Sequence, residues 1–193
     1  MVLLSKLYVK RRSVFWAGTA LLGAVVFVLD WTFKIVGLKI PFPFPPLTSL
    51  KFDFMGIPML LAYFLLGISA GTVTSLVAFL SISFRNPSSG FMKLLAEFAT
   101  IVGVYIVLRA RKPASNKLKI LAAISSIVVR VAVMDIANVL LLPIFWPAFY
   151  STHLAVIVLL PLISLFNVIQ GSISVFGGFL LYEAVIRRLP SLK

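Results

Sequence analysis

The 193-residue chain contains no cysteine. That excludes disulfide staples, thiolate metal sites and a cysteine nucleophile. Histidine occurs once, as His153, and acidic residues only five times. No nucleophile–base pair is visible, and no paired His or carboxylate cluster has metal-site spacing. His153, at a predicted helix start, reads as a solvated or capping residue. No G-x-x-x-x-G-K-[ST] run occurs, so the chain binds no ATP through a P-loop. Amides are equally sparse: Gln170 is the only glutamine, and the asparagines are Asn86, Asn116, Asn138 and Asn167. These gaps leave an enzyme without a catalytic constellation.

What remains is apolar. The chain is 61% hydrophobic with a mean hydropathy of +1.12, where a soluble domain is nearer half apolar. It reads as an integral membrane protein forming one bundle. The net charge of +13 raises nucleic acid as a partner, but the placement argues against it. The basic residues stand in short runs beside apolar segments, as topology signals do, and not on one face interleaved with aromatics.

In chain order, Lys6, Lys10, Arg11 and Arg12 precede a first apolar span over residues 14–34. A signal peptide is the competing reading, disfavoured because the run is long and lacks a convincing cleavage site. Residues 37–53 hold Pro41, Pro43, Pro45 and Pro46, which forbid a continuous helix. Phe42, Phe44 and Phe52 make this loop apolar, a candidate lid packed on the bundle. Residues 54–84 read as a helical hairpin turning at Gly67-Ile-Ser-Ala-Gly71, because glycines allow a tight turn there and Pro58 suits a first helical turn. Further spans are expected at 91–108, 120–142 and 154–186.

Each arm of the hairpin is short for a bilayer core of roughly 30 Å, so one long helix is the rival reading. Charge decides between them. Two arms give six spans with both termini on one side, which then holds twelve basic residues (6, 10, 11, 12, 109, 111, 112, 117, 119, 187, 188 and 193). The other side holds five: Lys34, Lys39, Lys51, Arg85 and Lys93. One long helix would erase this bias. The positive-inside rule therefore favours six transmembrane helices with cytoplasmic termini.

Ionisable and amide groups inside spans are costly and mark candidate sites. Asn167 and Gln170 in the last span are expected to contact a ligand. Glu97 and Asp135 stand evenly between ligand contact and a buried structural hydrogen bond. Asp135 and Asn138 lie three apart and share a helix face. Lys93, four residues before Glu97, is a possible partner for it. Arg130 reads as a structural or snorkelling residue and points away from Asp135. Asn167, Gly171, Ser174 and Gly178 form one small-and-polar stripe, whose glycine end reads as a helix–helix seam. Ala20-Leu-Leu-Gly-Ala24, with Thr19 and Gly23 one step over, is a small-residue patch for internal packing or for an external partner.

Three patterns carry a resemblance. Leu50-Lys-Phe-Asp53-Phe-Met-Gly-Ile-Pro58, continuing to Gly67-Ile-Ser-Ala-Gly71, resembles the Leu-x-x-Asp-Phe-x-x-Ile-Pro run and glycine hairpin of the substrate-binding S components of energy-coupling factor (ECF) vitamin transporters. Pro161 onward, with Phe166-Asn167-Val-Ile-Gln170-Gly171 and Leu180-Leu181-Tyr182, is similar to that family's Pro-Phe-Asn-Leu-Ile-Lys-Gly run and Leu-Leu-Tyr ending. Ala20 and Ala24 match its Ala-x-x-x-Ala. The riboflavin-specific members are the most similar. Two positions depart: the family's last-helix Lys is Gln170, and its hairpin Gly-Pro is Gly67-Ile68.

The resemblance implies a multi-pass subunit in a prokaryotic cell membrane, capturing a vitamin outside and delivering it inward. It also implies a T component docked on Ala20 and Ala24, two ATPase subunits, and no cofactor beyond the transported ligand. The chemistry is compatible, since a flavin has an apolar ring system and an imide edge that both gives and accepts hydrogen bonds. Asn138, Asn167, Gln170 and Glu97 supply matching groups, with Asp135, and with Asp53 and Phe44 on the covering segment, completing the candidate set. Two alternatives stay open: an S component for another vitamin or precursor, motivated by Gln170, and a membrane scaffold whose polar residues are structural.

Overall fold

In a lipid core every backbone N–H and C=O must be satisfied within the protein, so apolar runs of this chain form helices. The computed structural model describes residues 2–45, 47–109 and 115–189, with 2–11 as backbone alone. The side chains of Lys6, Lys10 and Arg11, and residues Pro46, Arg111, Lys112 and Lys193, lie outside the described residues. Six helices are present among them: α1 (Val2–Val36), α2 (Gly56–Leu66), α3 (Ile68–Ser83), α4 (Pro87–Leu108), α5 (Asn116–Phe145) and α6 (His153–Arg188). Four, α1, α4, α5 and α6, carry segments long and apolar enough to cross a membrane, while α2 and α3 are shorter apolar helices.

Local chemistry sets the ends. Asn86 accepts from the Ser89 N–H at 2.9 Å, with Pro87 at the first helical position. Ser115 and Thr152 cap α5 and α6 in the same way, accepting from Leu118 and Ala155. Each cap satisfies an amide that the helix itself leaves orphaned. α1 starts at Val2, far ahead of the apolar run, because the leucines, lysines and arginines before it are strong helix formers. α5 runs past the expected end at 142 and takes Pro143 into its last turns.

α2 and α3 are two helices and not one. Gly67 between them has φ 96°, a left-handed value that glycine adopts without cost. The chain doubles back there. Ser75 donates to the Met59 sulfur at 3.6 Å across sixteen residues, and a Cβ on Gly71 would meet the Tyr63 Cβ at 3.0 Å.

α2 is enclosed by α1, α3, α4 and α6, and the outer helices follow one another as α1, α3, α4, α5 and α6. Small residues let the backbones approach. The α6 stripe is a seam: Gly171 faces the Arg130 side chain, Ser174 faces Gly56, and Gly178 faces Leu60. Between α4 and α5, Ser125 donates to the Gly103 carbonyl at 2.9 Å and Ser126 to the Thr100 carbonyl at 2.8 Å. A Cβ at Gly103 would stand 2.4 Å from the Ser126 Cα and 2.9 Å from the Ser125 carbonyl oxygen. These are backbone atoms, so no rotamer change relieves them. Gly103→Ala is expected to destabilise the bundle by about 1–3 kcal/mol, read as a lower melting midpoint in detergent.

The segment between α1 and α2 is folded onto the bundle. Its strands β1 (Ile40–Pro41) and β2 (Lys51–Phe52) pair antiparallel, Ile40 opposite Phe52. Phe42 and Leu47 are buried in a cluster with Leu142, Tyr150, Val156, Ile163 and Phe166. Phe52 stacks on Phe166 with ring centres 4.9 Å apart.

Candidate substrate site

Where α1 and α3 end and α4 begins, and along the second half of α5 and the first half of α6, the helices enclose a cavity of about 850 Å³. The covering segment and the turn after α5 close part of it. Its apolar wall includes Met92, Met134, Leu142, Trp146, Ile163 and Phe166. Tyr150, on the turn, is hydrogen-bonded to Ser49, and burial raises its phenol above the usual range, so it stays protonated.

Asn138, Asn167, Gln170 and Asp53 all line this cavity. The two asparagines turn their NH2 groups to their own helices, Asn138 to the Met134 carbonyl at 2.6 Å and Asn167 to the Ile163 carbonyl at 3.0 Å. Their carbonyl oxygens are left for other donors, and Asn167 Oδ1 accepts from Arg130 Nε at 3.3 Å. Gln170 has a different partner. Its Nε2 donates to the Asp53 carbonyl at 2.8 Å, and its Oε1 accepts from the Asp53 N–H at 3.1 Å. It ties α6 to the end of the covering segment.

Glu97 lies behind the wall, buried, with Lys93 at 3.0 Å and Arg130 at 3.2 Å. Lys93 also bonds Asp53 at 2.7 Å. Arg130 donates further to Thr100 at 3.0 Å. Two lysine/arginine cations and two carboxylates thus form one buried network, neutral in sum, which offsets the cost of taking each charge out of water. The Lys93–Glu97 pair follows from four-residue helical spacing. The Lys93–Asp53 pair joins residues forty apart, and no local signal in the sequence gives it.

Asp135 and Phe44 do not line the cavity. Asp135 accepts from Ser164 at 2.7 Å in the α5–α6 contact. It shares a broad face with Asn138, but three residues still leave a rotation of about 60° between them, enough for one to face α6 and the other the cavity. Phe44 is half-exposed on the outside of the covering segment, beside Phe42.

A second charged node, which the sequence reading passed over, sits at the end of α1. Asp30 is fully buried and accepts from Lys39 at 2.7 Å, Arg85 at 2.6 Å and Ser81 at 2.7 Å. The Arg85 guanidinium also lies 4.8 Å from the Trp31 ring centre, within cation–π range. Lys39 and Arg85 both line the cavity.

On α1 the small residues divide. Gly18 and Gly23 face Leu66 and Val77 of the hairpin. Ala20 and Ala24 are exposed and line a shallow outer groove with Trp16, Phe27, Val73 and Val77.

A family model described as "ECF transporter, substrate-specific component" matches residues 16–182. A solved structure described as "Structure and mechanism of the S component of a bacterial ECF transporter" superposes with a TM-score of 0.74 at 27% identity, covering 92% of this chain and 98% of that one. No curated protein matches the sequence significantly. Because the matched region runs from within α1 to within α6 and the fold agrees over nearly the whole chain, this protein belongs to the ECF transporter substrate-specific component family, as a membrane subunit that binds a transported small molecule for a T component and ATPases, with no cofactor and no enzymatic activity.

Proposed function

We propose that the chain captures riboflavin at the outer face of a prokaryotic cell membrane and delivers it inward when docked on a T component with two ATPase subunits. The observation that carries the reading is the donor–acceptor pattern inside an aromatic cavity. Asn138 and Asn167 line the cavity together with the donors Arg130 and Lys93. Each asparagine gives its NH2 to its own helix and keeps its carbonyl oxygen as an acceptor, that of Asn167 accepting from Arg130. A flavin imide edge has an N–H between two carbonyls, so it needs an acceptor flanked by donors. Its ring system suits walls of Trp146, Phe166, Met134 and Ile163. The bias of twelve basic residues against five supports six spans with cytoplasmic termini and an outward-opening cavity. The exposed Ala20–Ala24 face, with no helix across it among the described residues, supports docking of a partner helix there.

The test is a titration of riboflavin into the detergent-purified chain, followed by quenching of flavin fluorescence. Tight saturable quenching is expected, weakened roughly tenfold or more by Asn167→Ala, which corresponds to about 1.4 kcal/mol. Absence of binding by folded protein rejects riboflavin. A second reading, another vitamin or precursor on the same fold, is favoured by one observation: Gln170 is engaged with Asp53 at both ends of its amide.

A further inference from the structure

The five basic residues that the topology assigns to the outer side, Lys34, Lys39, Lys51, Arg85 and Lys93, all line one cavity. Outside segments are poor in Lys and Arg under the positive-inside rule, so their convergence on a single site calls for a reason. The floor of the cavity is balanced, with Lys93 and Arg130 against Asp53 and, behind the wall, Glu97. Arg130 lies fifteen residues before the end of α5, roughly 22 Å down the helix. The mouth is not balanced. Lys34, Lys39, Lys51 and Arg85 stand there against Asp30 alone. Lys34 and Lys51 pair with no carboxylate among the described residues. Arg85 gives Nη2 to Asp30, while its Nη1 is buried with no hydrogen-bond partner among the described residues. Such a cluster in a half-closed cavity repels itself when empty and attracts an anion, and a guanidinium with flanking ammonium groups suits phosphate or carboxylate oxygens.

Resting on the reading of this cavity as the substrate site, we propose that its ligand carries an anionic group, a phosphate or a carboxylate, held at the mouth by Arg85, Lys39, Lys34 and Lys51, with a neutral polar end on the floor. Within the flavins, this makes a phosphate monoester of riboflavin a better ligand than riboflavin itself.

The experiment compares riboflavin and riboflavin 5′-phosphate on the full chain in detergent, with inorganic phosphate as a flavin-free probe. At about 50 mM salt the ester is expected to bind at least tenfold tighter, and the advantage is expected to shrink with added salt and in Lys34→Gln/Lys51→Gln. Equal affinity for the two flavins overturns the anionic group and leaves the flavin reading standing. If neither flavin binds, the flavin reading fails and inorganic phosphate decides the proposal alone. A melting midpoint raised over chloride at matched ionic strength, and lost in the double variant, supports it; no rise overturns it. Repeating the titration in nanodiscs with and without anionic lipid separates a soluble ligand from a headgroup: an ester advantage that survives anionic lipid supports the proposal, and one that disappears assigns the cations to lipid.

Discussion

Glu97→Gln is expected to destabilise the protein by roughly 3–5 kcal/mol, the usual cost of removing one partner from a buried ion pair. The substitution keeps the shape and an acceptor oxygen and removes only the charge. It leaves Arg130, 2% exposed, with neutral acceptors: Asn167, Thr100 and the Ala96 carbonyl. Lys93 keeps Asp53, so the deficit falls on Arg130. The reverse change, Arg130→Met, is expected to cost less, because Glu97 retains Lys93 at 3.0 Å. Combining the two should cost less than their sum, since each removes the other's stranded charge. Melting curves of the three variants in detergent check this order. A neutral Glu97→Gln would mean that the network contributes nothing to the fold.

Gln170→Ala is expected to act on the covering segment. Without the amide, the N–H and carbonyl of Asp53 lose their partners in a buried setting, at about 1–3 kcal/mol for each group. The end of the segment then keeps the Lys93 ion pair, the Asp53-to-Met55 turn and the stacking of Phe52 on Phe166 to hold it. The expected result is faster amide exchange across residues 40–52 and ligand dissociation accelerated by on the order of tenfold, since 1.4 kcal/mol is a factor of ten. Gln170→Glu, which turns a carboxylate oxygen onto the Asp53 carbonyl in a buried setting, should be at least as disruptive. Unchanged exchange and dissociation in Gln170→Ala would show that the contact does not hold the segment closed.

The helices of this bundle were legible because their cause is local. Apolar runs, Pro41 to Pro45 as breakers, and caps such as Asn86-Pro87 act over a few residues. The turn at Gly67 was legible from glycine chemistry. The site was legible only in part. Asn138, Asn167, Gln170 and Asp53 stood out because amides and carboxylates are rare in apolar segments, and all four line the cavity. Their partners were not legible. Gln170 and Asp53 are 117 residues apart, Arg85 and Asp30 fifty-five, and only the packed fold brings them together. Asp135 carried the same sequence signal as Asn138, yet about 60° of helix rotation sends it to Ser164.

The covering segment is fastened near both ends, at Lys39 to the Asp30 node on α1 and at Asp53 to Gln170 and Lys93. A strap buckled at two posts cannot swing aside like a door on one hinge. It can only arch, lifting Phe42 and Leu47 out of their sockets while the buckles hold. If this cavity is the substrate site, as proposed, admission of a molecule would depend on the slack between the posts and on the release of those two side chains from the groove beneath them.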